Sequence, residues 1–352
     1  MNKKILSFVG KIGMFRFFID LITYFRFINR SKNRIAFFID NKNLVDYLEP
    51  YIQKKINFDP IVISFEKLNK EFDNLDFFLF ETNFFRSLIF LTHNLKTLYS
   101  STPGLNKTIF KKSRIAKCKY IYLQHSPVSL TMAYENKYFD EFDAVQVINM
   151  FQLNEMKEMV SIRKLKCKIF KGSYQFLEKK IFVNKNQTPR YDILIAPTWN
   201  TNFFSLDCHS LLATNLKKKN IKFILRPHHM SFKKNDISNE NLRSLNFEFD
   251  DNNEINFFDF KLLISDWSGI IFENAILKRK KSLLINTPEK VNNSEFKVYQ
   301  SKPLEKVSRE IFGEIFETSQ LDELCDRATY LIDNPNEKED QNIVNFINSY
   351  FF

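Results

Sequence analysis

Phe260-Lys261-Leu262-Leu263-Ile264-Ser265-Asp266-Trp267-Ser268-Gly269-Ile270-Ile271-Phe272-Glu273-Asn274-Ala275-Ile276-Leu277 reads as a buried strand, a tight polar turn and a helix. Apart from Lys261, the run from Phe260 to Ile264 is apolar and short, as a parallel strand covered on both faces should be. Asp266 and Ser268 are residue types that cap helix N-termini, and Gly269 lets a backbone or a ligand approach closely. Beyond Ile270 the apolar residues Ile271, Phe272, Ala275 and Ile276 recur at helical spacing. Such a corner is suited to an anion, because free N–H groups and the helix dipole point at it. Only six glycines occur in the chain, and one stands at this turn.

Working outward, 352 residues exceed one ordinary core and suit two domains. A hydrophobic fraction of 44% with 26% charged residues is globular. The net charge of +11 asks for an anionic partner, whether nucleic acid, a membrane surface or a phosphate-rich substrate. No RNA-binding motif is visible, so nucleic acid is not expected. Cys118, Cys167, Cys208 and Cys325 have neither metal nor disulfide spacing, which predicts free thiols in a reducing compartment. Phe supplies 40 residues, a bias too general to mark function.

Residues 1–34 alternate apolar positions with Lys and Arg, and Asp20 is their only acid. Arg16 and Asp20 interrupt any spanning helix. The expectation is a basic interfacial helix on an anionic leaflet, against the alternative of a helix packed on its own domain. Alternating strands and helices then predict a first Rossmann-like domain at 35–185, a linker at 184–189, and a second such domain at 186–336. A C-terminal helix within 337–352 is left free to pack back on the first domain. Leu88–Tyr99 reads as a helix carrying His93 as a partly exposed, structural histidine. His209 also reads as structural.

Candidate chemistry gathers at strand ends. Cys118–Leu123 is a strand that stops at Gln124-His125 and is broken by Pro127. Histidine as a residue type titrates near neutral pH, so His125 suits a base for a hydroxyl nucleophile. Asn220–Leu225 runs into Arg226-Pro227-His228-His229. Arg226 suits a bidentate phosphate contact. His228 and His229, if extended, face opposite ways. Neither a G-x-G-x-x-G nor a Walker loop occurs, which argues against a simple dinucleotide or ATP enzyme.

Gln124-His125-Ser126-Pro127-Val128-Ser129, Ala196-Pro197-Thr198-Trp199, Arg226-Pro227-His228 and Ser265-Asp266-Trp267-Ser268-Gly269 with Glu273 occur in this order. Together they resemble the CDP-glycerol:poly(glycerophosphate) glycerophosphotransferase family, which builds teichoic-acid-like and capsular surface polymers. The resemblance runs from about residue 117 to 309. It implies an α/β GT-B fold, two Rossmann-like domains facing across a cleft, with the nucleotide held mainly by the second. It implies His125 as acceptor-activating base, with Gln124, Ser126 and Ser129 on the acceptor side. It places Arg226, His228, Ser268, Gly269 and Thr198 around the donor phosphates and Glu273 at the ribose. Asp266 would orient a histidine or cap the helix.

The activity so implied moves glycerol phosphate, or a related polyol phosphate, from a CDP donor to a hydroxyl of a lipid-linked or glycan acceptor and releases CMP. Neither metal nor cofactor is expected, and the site would be peripheral, on the cytoplasmic face of the plasma membrane. Where many family polymerases have His-Gly followed by Thr-Pro, this chain has His125-Ser126-Pro127, which bears on the acceptor. Two rival readings are a GT-B glycosyltransferase using a nucleotide sugar and a non-catalytic basic membrane binder.

Overall fold

The computed structural model describes residues 3–68, 72, 75–177, 188–244, 248–251, 256–335 and 338–352, with side chains from residue 13 onward. The chain divides into two compact units. One holds Met1–His125, Asn136–Ile148 and Met156–Phe176; the other holds Ser126–Glu135, Asn149–Glu155 and Leu177–Phe352. Most of the linker read at 184–189 lies outside the described residues.

The first unit is built on β1 (Ile35–Ile39), β2 (Ile61–Ser64), β3 (Asp76–Leu79), β4 (Thr97–Ser100), β5 (Lys119–Tyr122), β6 (Ala144–Val147) and β7 (Lys168–Lys171). Its helices are α1 (Lys3–Ser31), α2 (Val45–Lys54), α3 (Asn83–Thr92) and the later part of α4 (Met150–Arg163). All pairings are parallel, in the order β3-β2-β1-β4-β5-β6-β7. That is the Rossmann order with one strand added, and it reverses between β1 and β4. The continuous apolar run of β1 follows from cover on both faces.

α1 has two unlike sides. Phe27 is fully buried against Phe78 and Phe80, with ring centroids 5.3 and 5.9 Å away. Buried Asp20 accepts from the backbone N of Glu81 at 3.2 Å, from Thr82 N at 2.7 Å and from Thr82 Oγ1 at 2.6 Å. Met14, Phe15, Phe18, Ile22 and Phe25 are each more than half exposed. So α1 packs on its own unit and still presents a bare apolar side.

Two readings are corrected here. Leu88–Tyr99 is not one helix: α3 ends at Thr92 and β4 begins at Thr97. His93 is buried rather than partly exposed; its Nε2 lies 3.0 Å from Tyr120 Oη and its Nδ1 accepts from Leu95 N. Burial pushes its pKa down to about 4, so it sits in the core as a neutral ring.

The second unit carries β8 (Tyr191–Ile195), β9 (Phe223–Leu225), β10 (Phe260–Ser265), β11 (Ser282–Ile285) and β12 (Gly313–Phe316). Its helices are α5 (Cys208–Lys218), α6 (His229–Lys233), α7 (Asn239–Ser244), α8 (Ile270–Lys278), α9 (Leu304–Phe312), α10 (Leu321–Asp333) and α11 (Gln341–Tyr350). The sheet is parallel, ordered β12-β11-β10-β8-β9. Counted within the unit this is the flavodoxin order 2-1-3-4-5, whose switch point falls between β8 and β10. Leu212, Leu216, Leu324 and Ala328 cover one face with Ile193 and Ile264. Ile271, Phe272, Leu304, Phe312 and Phe346 form the second core around Leu284. α11 buries Ile343, Phe346 and Ile347 in that core. The expected class, α/β with two Rossmann-like parallel sheets, is the one observed.

Residues 126–135 form a strap sewn into the second unit. Gln152 Nε2 donates to the carbonyls of Ser126 and Val128 at 3.0 and 2.9 Å, and Asn149 Nδ2 to that of Pro127 at 3.0 Å. Ser129 N donates to both oxygens of Glu305, at 3.0 and 3.2 Å. Glu155 accepts from Ser129 Oγ, Leu130 N and Thr131 Oγ1. Asn292 and Asn293 side chains donate to the carbonyls of Ala133 and Thr131.

Candidate functional site

In the second unit the loops after β8, β9 and β10 converge, as the switch point requires. Ser265 Oγ donates to Ala196 O at 2.7 Å and ties the ends of β10 and β8 together. Next, the fully buried carboxylate of Asp266 accepts from Thr198 N at 2.8 Å and Thr201 Oγ1 at 2.6 Å. It therefore shapes the loop after β8. Asn200 and Asn202 turn that loop in left-handed conformations, which Asn tolerates. Neither Asp266 nor Ser268 caps α8: Gly269 is the N-cap residue, and no side chain caps it. The capping expectation is corrected by Asp266 turning back to Thr198, where two donors would otherwise be buried unpaired.

Ser268 is buried and Gly269 is part-exposed at the corner itself. Gly269 is glycine for space rather than for backbone freedom. Its φ of −60° suits any residue, but a Cβ there would lie 2.8 Å from Ser126 Oγ and 2.9 Å from Val128 Cγ1. Glu273, one turn into α8, is buried.

After β9, Arg226 N donates to Ile195 O at 2.8 Å, and the part-buried Arg226 side chain starts beside the end of β8. His228 caps α6 by accepting from Met230 N on Nδ1 at 3.1 Å. The neutral ring therefore carries its hydrogen on Nε2. The two histidines do not face opposite ways. Because His229 already begins a helical turn, their rings stack at 4.4 Å. His228 also lies 6.4 Å from the Trp199 ring.

Three residues that sequence reading passed over complete this set. Lys290, on the segment after β11, donates to Thr198 Oγ1 at 2.8 Å and sits 4.6 Å over the Trp199 ring. Burial lowers its pKa to about 8, against the pull of Asp266 and Glu305. Arg309 lies 4.0 Å over the Trp267 ring and donates to the carbonyls of Asp266 and Ile285. Burial lowers its pKa to about 10. Glu305 holds the strap, and burial raises its pKa. Both of the chain's two tryptophans thus carry a cation on a face. Trp267, Asn286, Thr287, Pro288, Glu289 and Arg309 help line a cavity of about 610 Å³ beyond the ends of β10, β11 and β12. Only long-range contact reveals these residues, since none stands in a recognisable motif.

In the first unit, His125 follows β5 by three residues. Its Nδ1 lies 3.1 Å from Tyr122 Oη, and its carbonyl accepts from Tyr174 Oη at 2.8 Å. Tyr47 packs edge-on to the ring at 6.1 Å. The contact between Nδ1 and Tyr122 Oη fixes the orientation of the ring. Gln124 is 1% exposed; its backbone N donates to Gln146 Oε1, while neither side-chain atom has a partner among the described residues. Of the acceptor-side residues, Ser126 is part-exposed, whereas Ser129 is fully buried with its hydroxyl given to Glu155. The structure therefore brings Thr198, Arg226, His228, Asp266, Ser268 and Gly269 to one sheet end. It places Gln124 and His125 at the end of β5, and it puts Ser129 inside the strap.

The family model for CDP-glycerol:poly(glycerophosphate) glycerophosphotransferase matches residues 173–351, just over half of the chain. No curated protein matches. Among solved structures, the wall teichoic acid polymerase TagF is similar at 14% identity, covering 99% of this chain and 96% of that one with a TM-score of 0.41. UDP-N-acetylglucosamine 2-epimerase from Rickettsia bellii gives 13% identity, 90% and 98% coverage and a TM-score of 0.45. WaaG, a glycosyltransferase involved in lipopolysaccharide biosynthesis, gives 8%, 86%, 96% and 0.42.

Proposed function

Because the chain belongs to the CDP-glycerol:poly(glycerophosphate) glycerophosphotransferase family, we propose that it transfers glycerol phosphate from CDP-glycerol to a hydroxyl of a lipid-linked or glycan acceptor and releases CMP. It is a glycerophosphotransferase-like enzyme of teichoic-acid type. The observation that carries the finer reading is the β8/β10 switch point, where Thr198, Arg226, His228 and the Ser268-Gly269 corner meet.

In this reading the donor diphosphate lies at the start of α8, where the helix dipole and Ser268 meet it. Arg226 clamps phosphate oxygens, and Nε2–H of His228 donates to the bridging or leaving oxygen. Glu273 meets the ribose. The acceptor hydroxyl attacks the phosphorus bonded to glycerol. The bond from that phosphorus to the CMP oxygen breaks, and the hydroxyl proton passes to the His125 imidazole. Preorganised positive groups supply most of the rate, and His125 adds roughly 10²–10⁴-fold as general base. No resident metal or cofactor enters this scheme. Asp266 acts as a positioning residue through Thr198 and Thr201.

The same proposal places the enzyme peripherally on the cytoplasmic leaflet. Among the described residues no helix is long and apolar enough to cross a membrane. The bare side of α1, with Phe15, Phe18, Ile22 and Phe25 among Arg16, Arg26 and Arg30, fits an anionic interface.

The direct test is purified full chain with radiolabelled CDP-glycerol and a lipid-linked acceptor. Label should enter the acceptor, and CMP should appear in equal amount. A thermal-shift screen complements it: CDP and CMP should stabilise the protein. Stabilisation by UDP or GDP alone, with no label transferred, would replace this reading by a nucleotide-sugar enzyme.

A further inference from the structure

We propose that Lys290 is a donor-binding residue that places its ammonium on a phosphate oxygen of the nucleotide donor, with Thr198 and Trp199 as the cradle that aims it. This deepens the reading above and rests on it.

Lys290 follows β11, outside every motif that marks the switch point, yet its side chain reaches the loop after β8. An ammonium has three donors. One goes to Thr198 Oγ1 at 2.8 Å. The Trp199 face, 4.6 Å away, offers electrostatic attraction but no lone pair. Among the described residues no carboxylate lies within 4.0 Å of Nζ. Two donors of a part-buried cation are therefore unspent.

A cation placed this way is costly to the folded chain. Burial disfavours it, and the nearby carboxylates compensate only in part. Asp266 is committed to Thr198 and Thr201, and Glu305 to Ser129. A neutral side chain of the same length would serve packing better. The arrangement makes sense if an anion arrives. Thr198 places that anion, because its N–H is fixed on Asp266 while its hydroxyl holds Lys290. The cation thus stands over the same loop that Asp266 shapes, one residue from Trp199 and its neighbour His228. Phosphate, with several strong acceptor oxygens, matches the two free donors. The nearby titratable groups are Asp266, Glu305 and, across Trp199, His228.

The test compares parent, Lys290→Met and Lys290→Arg full-length proteins by calorimetric titration with CDP and, as the phosphate-free probe, cytidine. Met keeps the stem on Trp199 and removes the charge, so thermal stability should be equal or higher. CDP affinity should fall about 10- to 100-fold in Lys290→Met and by only a few-fold in Lys290→Arg. Cytidine binding should not change. In the parent, CDP affinity should drop as pH rises through about 8 and stay flat to higher pH in Lys290→Arg. If Lys290→Met does not fold, that pH contrast decides. Equal CDP binding by parent and Lys290→Met, or a parent profile flat across pH 8, overturns the assignment of Lys290 alone. A parent that binds no CDP at all overturns the donor reading together with it.

Discussion

Replacing Gly269 by Ala tests whether the phosphate corner is set by the strap. On backbone grounds the change should help: φ −60° and ψ −20° suit Ala, and losing glycine's unfolded-state freedom contributes about 0.4–1 kcal/mol. Space opposes it. The new methyl would stand 2.8 Å from Ser126 Oγ and 2.9 Å from Val128 Cγ1. A serine hydroxyl can rotate away, but Val is stiff at χ1. Its backbone cannot retreat either, because Gln152 holds the carbonyls of Ser126 and Val128 and Glu305 holds Ser129 N. Overpacking of this kind costs about 1–3 kcal/mol. The net expectation is a loss of roughly 0.5–2 kcal/mol, with Val128→Ala in the same chain restoring most of it. Urea unfolding followed by tryptophan fluorescence is the assay, since Trp199 and Trp267 both belong to the second unit. A Gly269→Ala midpoint at or above the parent's, or no coupling with Val128→Ala, would refute the argument.

Other outcomes follow from the same geometry. Asp266→Ala strands the N–H of Thr198 and the hydroxyl of Thr201, so the second unit should lose about 3–5 kcal/mol, whereas Asp266→Asn keeps one acceptor and should lose less; equal stability of the two variants in urea contradicts this. His125→Ala should lower kcat roughly 10²–10⁴-fold with little change in CDP affinity, and transfer at the parent rate would remove the base assignment. Asp20→Ala unpairs three donors around Thr82 and should destabilise the first unit by about 2–4 kcal/mol, read by circular dichroism melts; a shift in membrane binding without any loss of stability would mean that α1 is not anchored there. Burial raises the pKa of Glu155 to about 8 and that of Glu305 in the same direction. The folded chain then holds extra protons above pH 4.5, so stability should fall as pH rises from 4.5 toward 8. Glu155→Gln should flatten that slope in melts taken across the window, and an unchanged slope would count against the buried acid.

Much of this was legible because it is local. The apolar run Leu262–Ile264, the break at Pro127 and the turn at Gly269 each declare themselves within a few residues. Arg226-Pro227-His228 marked a strand end correctly. What failed was local ambiguity and distance. Leu88–Tyr99 keeps apolar residues on both sides of the polar step Thr92-His93-Asn94, and periodicity does not separate a helix end from a four-residue strand. The stacking of His228 on His229 turned on one residue entering a helix. The strand Gly313–Phe316 is too short and too mixed to announce itself. Lys290, Glu305 and Arg309 matter only through partners far away in the chain, and Asp20, seen as a lone acid in a basic helix, is explained by backbone amides 61 and 62 positions later.

The strap also has a consequence for synthesis. Ser129 and Glu305 are 176 residues apart, so the ribosome delivers one long before the other. At about 5–20 residues per second the wait is roughly 10–35 s. For most of that interval the nascent chain carries Ser126–Glu135 and Asn149–Glu155 as segments already made but still lacking most of their own unit. A break after Phe176 would therefore not yield two self-sufficient fragments, since the C-terminal piece would lack Ser129 and Glu155. Fusion or permutation experiments should open the chain elsewhere.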